Sequence, residues 1–392
     1  MRIQVVVKST KFTGGRQELF RHANALAQRE HDVTIWVAGD PDIEWMPMHV
    51  PVRRLPDRSY RHLPQADLCL FERPRFAQPL WRAGRGIPVH FCQGFEGTDI
   101  ENRMAAIRAR RGLCRGLPEL WNLWRRKRQI DRAYRLPTAK ITVHHHLRDL
   151  IAERYGQSAY FVPYGLPEGI FTPPRRRDFD GQTILVVGPT DTGWKRVGDA
   201  LEAMRLLKYT HPWIRLVRVA QHEMRASERA LNVTDEYHTM LAPPDMADLY
   251  RQADVVVLAS DATEGFGLPL LESLACGTPA VVTDIPAFRT FAHEADFAHF
   301  VPVGNPPALA AAVARLLDDC GERRRLSERG PEVAAGYRTT RSHQAMEDAL
   351  SQILAGPLAA APWSLKLRWT GLPRTQAARQ GEKLRRQGLR TR

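Results

Sequence analysis

Two doubly wound parallel α/β sheets, one in each half of the chain, are the architecture that this 392-residue sequence predicts. Three observations carry the expectation. The chain opens with an apolar strand, a Gly-bearing loop and a helix; the same order restarts near residue 183; and short apolar runs alternate with helical periodicity through both halves. The length suits two domains with separate cores, and 43% hydrophobic residues is an ordinary share for a globular chain.

The elements follow in order. RIQVVV at 2–7 reads as a buried strand, KSTKFTGG as a loop, about 16–29 as a helix and DVTIWVA at 32–38 as the next strand. Gly14 and Gly15 in that first loop depart from a GxGxxG fingerprint. DLCLF at 67–71, PVHF at 88–91 and AKITV at 139–143 continue the alternation. TILVVG at 183–188 begins the second half, with a helix near 196–208 and strands near 213–220 and 254–258. VPYGLPEGIFTPPRRRDFDG at 162–181 concentrates Pro, Gly and charge and reads as a linker. The expected organisation is a first domain over 1–165, a linker over 166–181, a second domain over 182–361 and a basic tail over 362–392.

The most informative run is EGFGLPLLESLACGTPAVV at 264–282. Gly265, Phe266 and Gly267 make a turn that lets the backbone approach a ligand closely, and Leu268 and Pro269 suit the first turn of a helix. Gly277 suits the position just past the helix end, and the apolar residues after Pro279 suit a buried strand. A helix start is a ready anion site, usually for phosphate. Two carboxylates beside a phosphate would repel it, so Glu264 and Glu272 must face neutral donors, and sugar hydroxyls fit. Diols on both sides of a diphosphate describe a nucleotide sugar. The bland alternative is a solvated Glu264 and a helix-surface Glu272 over a structural turn.

The run resembles the Glu-x7-Glu signature of glycosyltransferase family 4, retaining enzymes of the GT-B fold that use nucleotide sugars. The likeness covers EGFGLPLLE, the CGTP after it and the YRQADVVVLAS lead-in at 250–260; VPYG and IF in the linker are similar to the family's linker. The resemblance implies that Glu264 positions the donor sugar and Glu272 the ribose. It also implies that Lys195, in the loop after the strand at 183–188, carries the diphosphate, with Arg196 as a second candidate, and that Gly14-Gly15 faces an interdomain cleft. The implied reaction is hexosyl or deoxyhexosyl transfer to a glycan or lipid-linked hydroxyl acceptor, as in polysaccharide biosynthesis, with no metal or other cofactor.

Two positions depart from the family. Pro189 follows Gly188 where an Arg is usual, leaving Lys195 and Arg196 to neutralise the leaving group. After PVHF the family commonly places a His, and this chain has Gln93-Gly94-Phe95-Glu96, an arrangement similar to some rhamnosyltransferase-like members. Gln93 can hydrogen-bond a sugar but cannot act as a base, whereas Glu96 can. His90 in mid-strand reads as a core or face histidine. His144-His145-His146 ends a strand, where successive side chains alternate faces, so a shared metal is not expected.

Charge and cysteines bound the remaining readings. Residues 1–170 hold 28 Lys and Arg against 17 acids, 171–361 hold 20 against 25, and 362–392 hold 9 against 1. The segment 103–137 carries eleven basic residues around Trp121 and Trp124. It reads either as an interfacial contact with an anionic membrane or as a solvated pair of helices with core tryptophans. The tail, with Trp363 and Trp369, repeats the theme. Five scattered cysteines without a Cys-x-x-Cys pair, no spanning apolar run and no signal-peptide core suggest a cytoplasmic protein, peripheral at the inner membrane face. Rival readings are a sugar-nucleotide-binding subunit without turnover, a nucleic-acid-binding protein suggested by net charge alone and not expected, and a related epimerase.

Overall fold

The structure, a computed structural model, describes residues 1–56, 60–175, 181 and 183–360, apart from the side chains of 110–116, 359 and 360. The basic tail at 362–392 and part of the expected linker, 176–180, lie outside the described residues. The chain forms two units, one of residues 1–163 with those from 342 onward, the other of residues 164–341.

In the first unit seven strands are β1 (Arg2–Val7), β2 (Asp32–Val37), β3 (Val52–Arg54), β4 (Leu68–Phe71), β5 (Ile87–Cys92), β6 (Ala139–Thr142) and β7 (Tyr160–Phe161). They pair in parallel in the order β3-β2-β1-β4-β5-β6-β7. Every residue of β4, β5 and β6 is buried, as expected of strands covered by helices on both faces. The helices of this part are α1 (Gly14–Gln28), α2 (Pro74–Ala83), α3 (Glu96–Arg135) and α4 (His145–Tyr155). Helix α2 begins at a Pro and stops where Gly84 takes a left-handed φ of 66°, the pairing of helix-starting Pro with helix-ending Gly. The pair of helices expected over 103–137 is one helix: α3 runs for 40 residues, starts already at Glu96 and continues through Pro118.

In the second unit six strands, β8 (Thr183–Val187), β9 (Arg215–Ala220), β10 (Glu236–Thr239), β11 (Val255–Leu258), β12 (Ala280–Thr283) and β13 (His299–Val301), pair in parallel as β10-β9-β8-β11-β12-β13. The helices are α5 (Val197–Thr210), α6 (Ala226–Arg229), α7 (Pro243–Gln252), α8 (Leu268–Ala275), α9 (Pro286–Arg289), α10 (Pro306–Asp318) and α11 (Cys320–Ala334). Ile184, Val186, Val255 and Val257 of the central strands pack with Leu201 and Met204 of α5 and Leu309 and Val313 of α10. Strand order reverses between β8 and β11, and in such sheets the crevice beyond the strand ends at that point is where ligands bind. The loops carrying Lys195 and Glu264 follow those two strands.

The domain boundaries differ from the expected ones. Leu166 bridges Arg338 in parallel, so the described part of the linker belongs to the second unit. Helix α12 (Thr339–Ala355) carries the chain back to the first unit instead of closing the second. Its stripe of Met346, Ala349, Leu350 and Ile353 is buried, and Glu347 meets His31 at 2.9 Å and Arg29 at 3.4 Å. Spacing shows that such a stripe needs a core; it does not say which core. Among the described residues no helix is long and apolar enough to cross a membrane.

Leu350→Ala should therefore destabilise the first unit by about 2–5 kcal/mol. Chemical denaturation followed with a probe in each unit should show the first transition displaced and the second in place.

Candidate functional site

The second unit brings Lys195 and Glu264 together. Beyond β8 the chain passes Gly188, whose φ of 126° suits only glycine, and forms a short turn, Gly193–Lys195, ahead of α5. The loop after β11 docks on that turn: the Asp261 N–H donates to the Trp194 carbonyl at 2.8 Å, and the Glu264 N–H to the Asp261 carbonyl at 3.0 Å. This docking sets Lys195 Nζ 2.6 Å from Glu264 Oε2, where the Ser260 hydroxyl also donates at 3.0 Å. Burial alone would raise the Glu264 carboxyl. The Lys195 charge and hydrogen bond, the Ser260 hydroxyl and the Gly265 N–H outweigh it and hold the group below its usual range. The bland alternative of a solvated Glu264 is excluded by its burial.

Helix α8 begins as expected. Gly267 caps it with φ 93°, and a Cβ there would stand 2.6 Å from the Phe288 ring, so geometry and space both demand glycine. Glu272 lies in the second turn of α8, half-buried, and Tyr250 Oη donates to its Oε2 at 2.9 Å. Tyr250 is fully buried; burial first, and then the Glu272 charge, push its phenol well above its ordinary value and keep it a donor. Two expected ligand residues are placed otherwise. The Phe266 ring is buried beside Tyr164, Phe291 and Tyr337, at 4.8, 5.2 and 6.0 Å between centroids, which leaves only its backbone to face a ligand. Arg196 is turned to Asp199 at 2.6 Å and lies against Gly304, engaged apart from the Lys195–Glu264 pair.

The first unit gathers the other expected residues at its own strand ends. Gly14 and Gly15 form the first turn of α1, capped by the Thr13 side chain, so the helix starts two residues earlier than the periodicity suggests. Gln93 Nε2 donates to the Gly15 carbonyl at 2.8 Å, tying the loop after β5 to the start of α1. Beneath them Arg16 Nη2 lies 3.3 Å from each oxygen of the buried Glu72, whose Oε1 also accepts the Lys8 N–H at 3.1 Å. Glu96 opens α3 and accepts from Tyr134 Oη at 3.1 Å. Burial raises the Glu96 carboxyl to about 7, opposed by its own backbone N–H, by Tyr134 and by Arg73. Burial lowers His90 to about 3; it is a neutral core residue stacked 4.8 Å from Phe71. Of the three consecutive histidines, His145 stacks on Phe161 at 3.9 Å, while His144 and His146 face one another at 5.5 Å.

Sequence reasoning did not single out Ser260, Tyr250, Tyr134 or the Arg16–Glu72 pair. Tyr250 and Ser260 are the first and last residues of the YRQADVVVLAS run, polar groups bounding an apolar strand, and that was a usable signal.

Two parallel Rossmann-like units, one of them with a Lys–Glu pair and a helix start at its switch point, are the make-up of the GT-B fold. Residues 174–333 match the model of the family Glycosyl transferases group 1. The chain is 29% identical over 197 residues to the phosphatidyl-myo-inositol mannosyltransferase of Mycobacterium tuberculosis, covering 49% of this chain and 52% of the relative. The chain thus spans about half the length of the curated relatives it matches. Sucrose-phosphate synthase from Thermosynechococcus elongatus superposes with a TM-score of 0.72 at 17% identity, covering 91% of this chain and all of that one, 100%. Anabaena HepE, solved with UDP and glucose, gives 0.67 at 15%, covering 90% and 99%. At such identities the likeness is one of fold.

The Glu96 carboxyl supplies a pH test. Its folded pKa of about 7 lies above the ordinary 4.5, so the folded state keeps a proton that the unfolded chain releases. Stability of the first unit should fall as pH rises from about 4.5 through 7, and Glu96→Gln should flatten that fall. Urea midpoints collected between pH 5 and 8 measure both.

Proposed function

We propose that this chain transfers a sugar from a nucleoside diphosphate sugar to a hydroxyl acceptor, with retention of anomeric configuration. The observation that carries the reading is the Lys195–Glu264 pair beside the start of α8 at the strand-order reversal. An ammonium has three donors, and Glu264 takes one from Lys195, leaving two for phosphate oxygens. The dipole of α8 adds a second positive field at its start. Held Lys195 and helix start together stabilise the charge that develops as the bond from the anomeric carbon to the diphosphate breaks. A bond from the acceptor oxygen forms on the same face, and the acceptor proton passes to the departing phosphate oxygen.

The two carboxylates serve as hydroxyl acceptors in this scheme. Glu264 keeps an oxygen free of Lys195 and Ser260 for the donor sugar, and Glu272, held by Tyr250, accepts from the ribose diol. Helix-dipole, lysine and carboxylates are all supplied by the chain, and the scheme calls on no further cofactor. In the first unit, Glu96 near neutrality and Gln93 suit contacts to an acceptor hydroxyl. The chemistry of the Mycobacterium relative, whose name specifies an inositol phospholipid acceptor, supports a lipid-linked acceptor here.

The long helix favours an anionic membrane surface as partner. Leu117, Trp121 and Trp124 are 55, 58 and 39% exposed and recur at the spacing of one helix face. The two indoles stack at 5.1 Å, and the Arg128 guanidinium lies 4.6 Å over Trp124. Exposed Arg125 and Arg132 flank that face. Apolar indoles among cations are the pattern of an interfacial helix, and the core reading of these tryptophans does not fit their exposure.

Thermal-shift screening of nucleoside diphosphates and nucleotide sugars should find a stabilising ligand. Glu272→Ala should weaken its binding about tenfold, while Glu264→Ala and Lys195→Ala should lower turnover by about a hundredfold or more. Unchanged binding and transfer in all three variants would remove the site from the mechanism. Flotation with phosphatidylglycerol vesicles should carry the wild-type chain upward, and the Trp121→Ala/Trp124→Ala variant should remain at the bottom.

A further inference from the structure

Arg218 stands in the middle of β9 among apolar neighbours, and its side chain and that of Glu228 on α6 are both 0% accessible. A buried ion pair is a poor way to gain stability, because stripping water from two charges costs several kcal/mol per ion and apolar residues of similar volume often serve better. The atoms this pair holds give it another task. Arg218 Nε donates to Glu228 Oε1 at 2.7 Å, Nη1 to the Val186 carbonyl at 2.6 Å and Nη2 to the Gly188 carbonyl at 3.0 Å. The second oxygen of Glu228 accepts the Thr190 hydroxyl. One guanidinium and one carboxylate thus grip the chain at 186, 188 and 190, where it leaves β8 for the loop of Lys195.

The grip leaves this stretch little freedom. Gly188 is held in a left-handed conformation and donates its N–H to Val219 at 2.9 Å, and Pro189 has a fixed φ. The aliphatic stem of Lys195 packs against this stretch: a Cβ on Gly188 would stand 3.8 Å from its Cγ and Cδ. We propose that Arg218, Glu228 and Thr190 are positioning residues that fix the 188–190 loop, and through it the Lys195 ammonium, in the place that receives a diphosphate. The inference rests on the reading of Lys195 as the diphosphate ligand. It adds that Lys195 depends on a buried support as well as on Glu264, so the site is preorganised before any donor arrives.

The test separates positioning from folding. A variant that merely depopulates the folded site weakens every ligand by one common factor. Loss of the Lys195 position instead weakens ligands according to their phosphate charge. Binding of matched nucleoside diphosphates and monophosphates is measured by calorimetry on the full chain, for the wild type, Thr190→Val and Arg218→Lys. Thr190→Val keeps the volume and deletes the tie to Glu228; Arg218→Lys keeps the charge and deletes the fork. The expected result for either variant that folds is a fall of about tenfold in diphosphate affinity with less than about a twofold change for the monophosphate. Equal losses for both ligands, or no loss for either, would overturn the positioning role while leaving the nucleotide site in place. A wild-type chain that binds neither ligand would overturn the underlying reading and the inference with it.

Discussion

A carboxylate withdrawn from water must be met by a cation or give up its charge, and Glu264 is met by Lys195 at 2.6 Å. That requirement organises the second unit around it. To satisfy Glu264, the loop after β11 has to lie on the turn after β8, which it does through the bond from Asp261 to Trp194. Once the loops are joined, Gly265 to Gly267 lead from that junction into α8. The parallel sheet fixes where strands end, and the ion pair fixes what their loops do afterwards.

The two units share a strand order and use it differently. In both, the chain leaves the first strand through glycines and enters a helix at the point where the order reverses. In the second unit that point carries positive charge, from a lysine and a helix terminus. In the first, the helix start is tied down by neutral and internal contacts, Gln93 to Gly15 above and Arg16 to Glu72 below, and the titrating group is a carboxyl near neutrality. One topology thus carries a Lys–Glu ion pair beside a helix start in one unit and a carboxyl near neutrality in the other, and the difference lies in side chains on loops.

Most of the fold could be read directly from the residues. Continuous apolar runs such as those of β4, β5 and β8 have no other economical explanation than buried parallel strands, and each falls within a residue or two of its expected place. Gly267, Pro269 and Gly277 marked α8 because each answers a local backbone demand. What could not be read was set by distant partners. The spacing of α12 reveals an apolar face but not its destination, and α3 looked like two helices because Pro118 and glycines argue locally for a break. Glu264 and Lys195 were each recognisable, yet 69 residues separate them, and nothing local says that they touch. The same holds for Tyr134 and Glu96, where a phenol 38 residues away decides the surroundings of the carboxyl.

The return of α12 makes the second unit an insertion: residues 164–341 interrupt a unit whose helix α12 is made after them. During synthesis the sheet of the first unit emerges early but lacks the helix that carries Leu350 and Glu347 until the ribosome has finished the second. The inserted unit, continuous in sequence, can complete its core first, in reverse of the usual N-terminal-first order. A chain cut within α12 would then hold a finished second unit and an unfinished first one, with apolar surface open to chaperones.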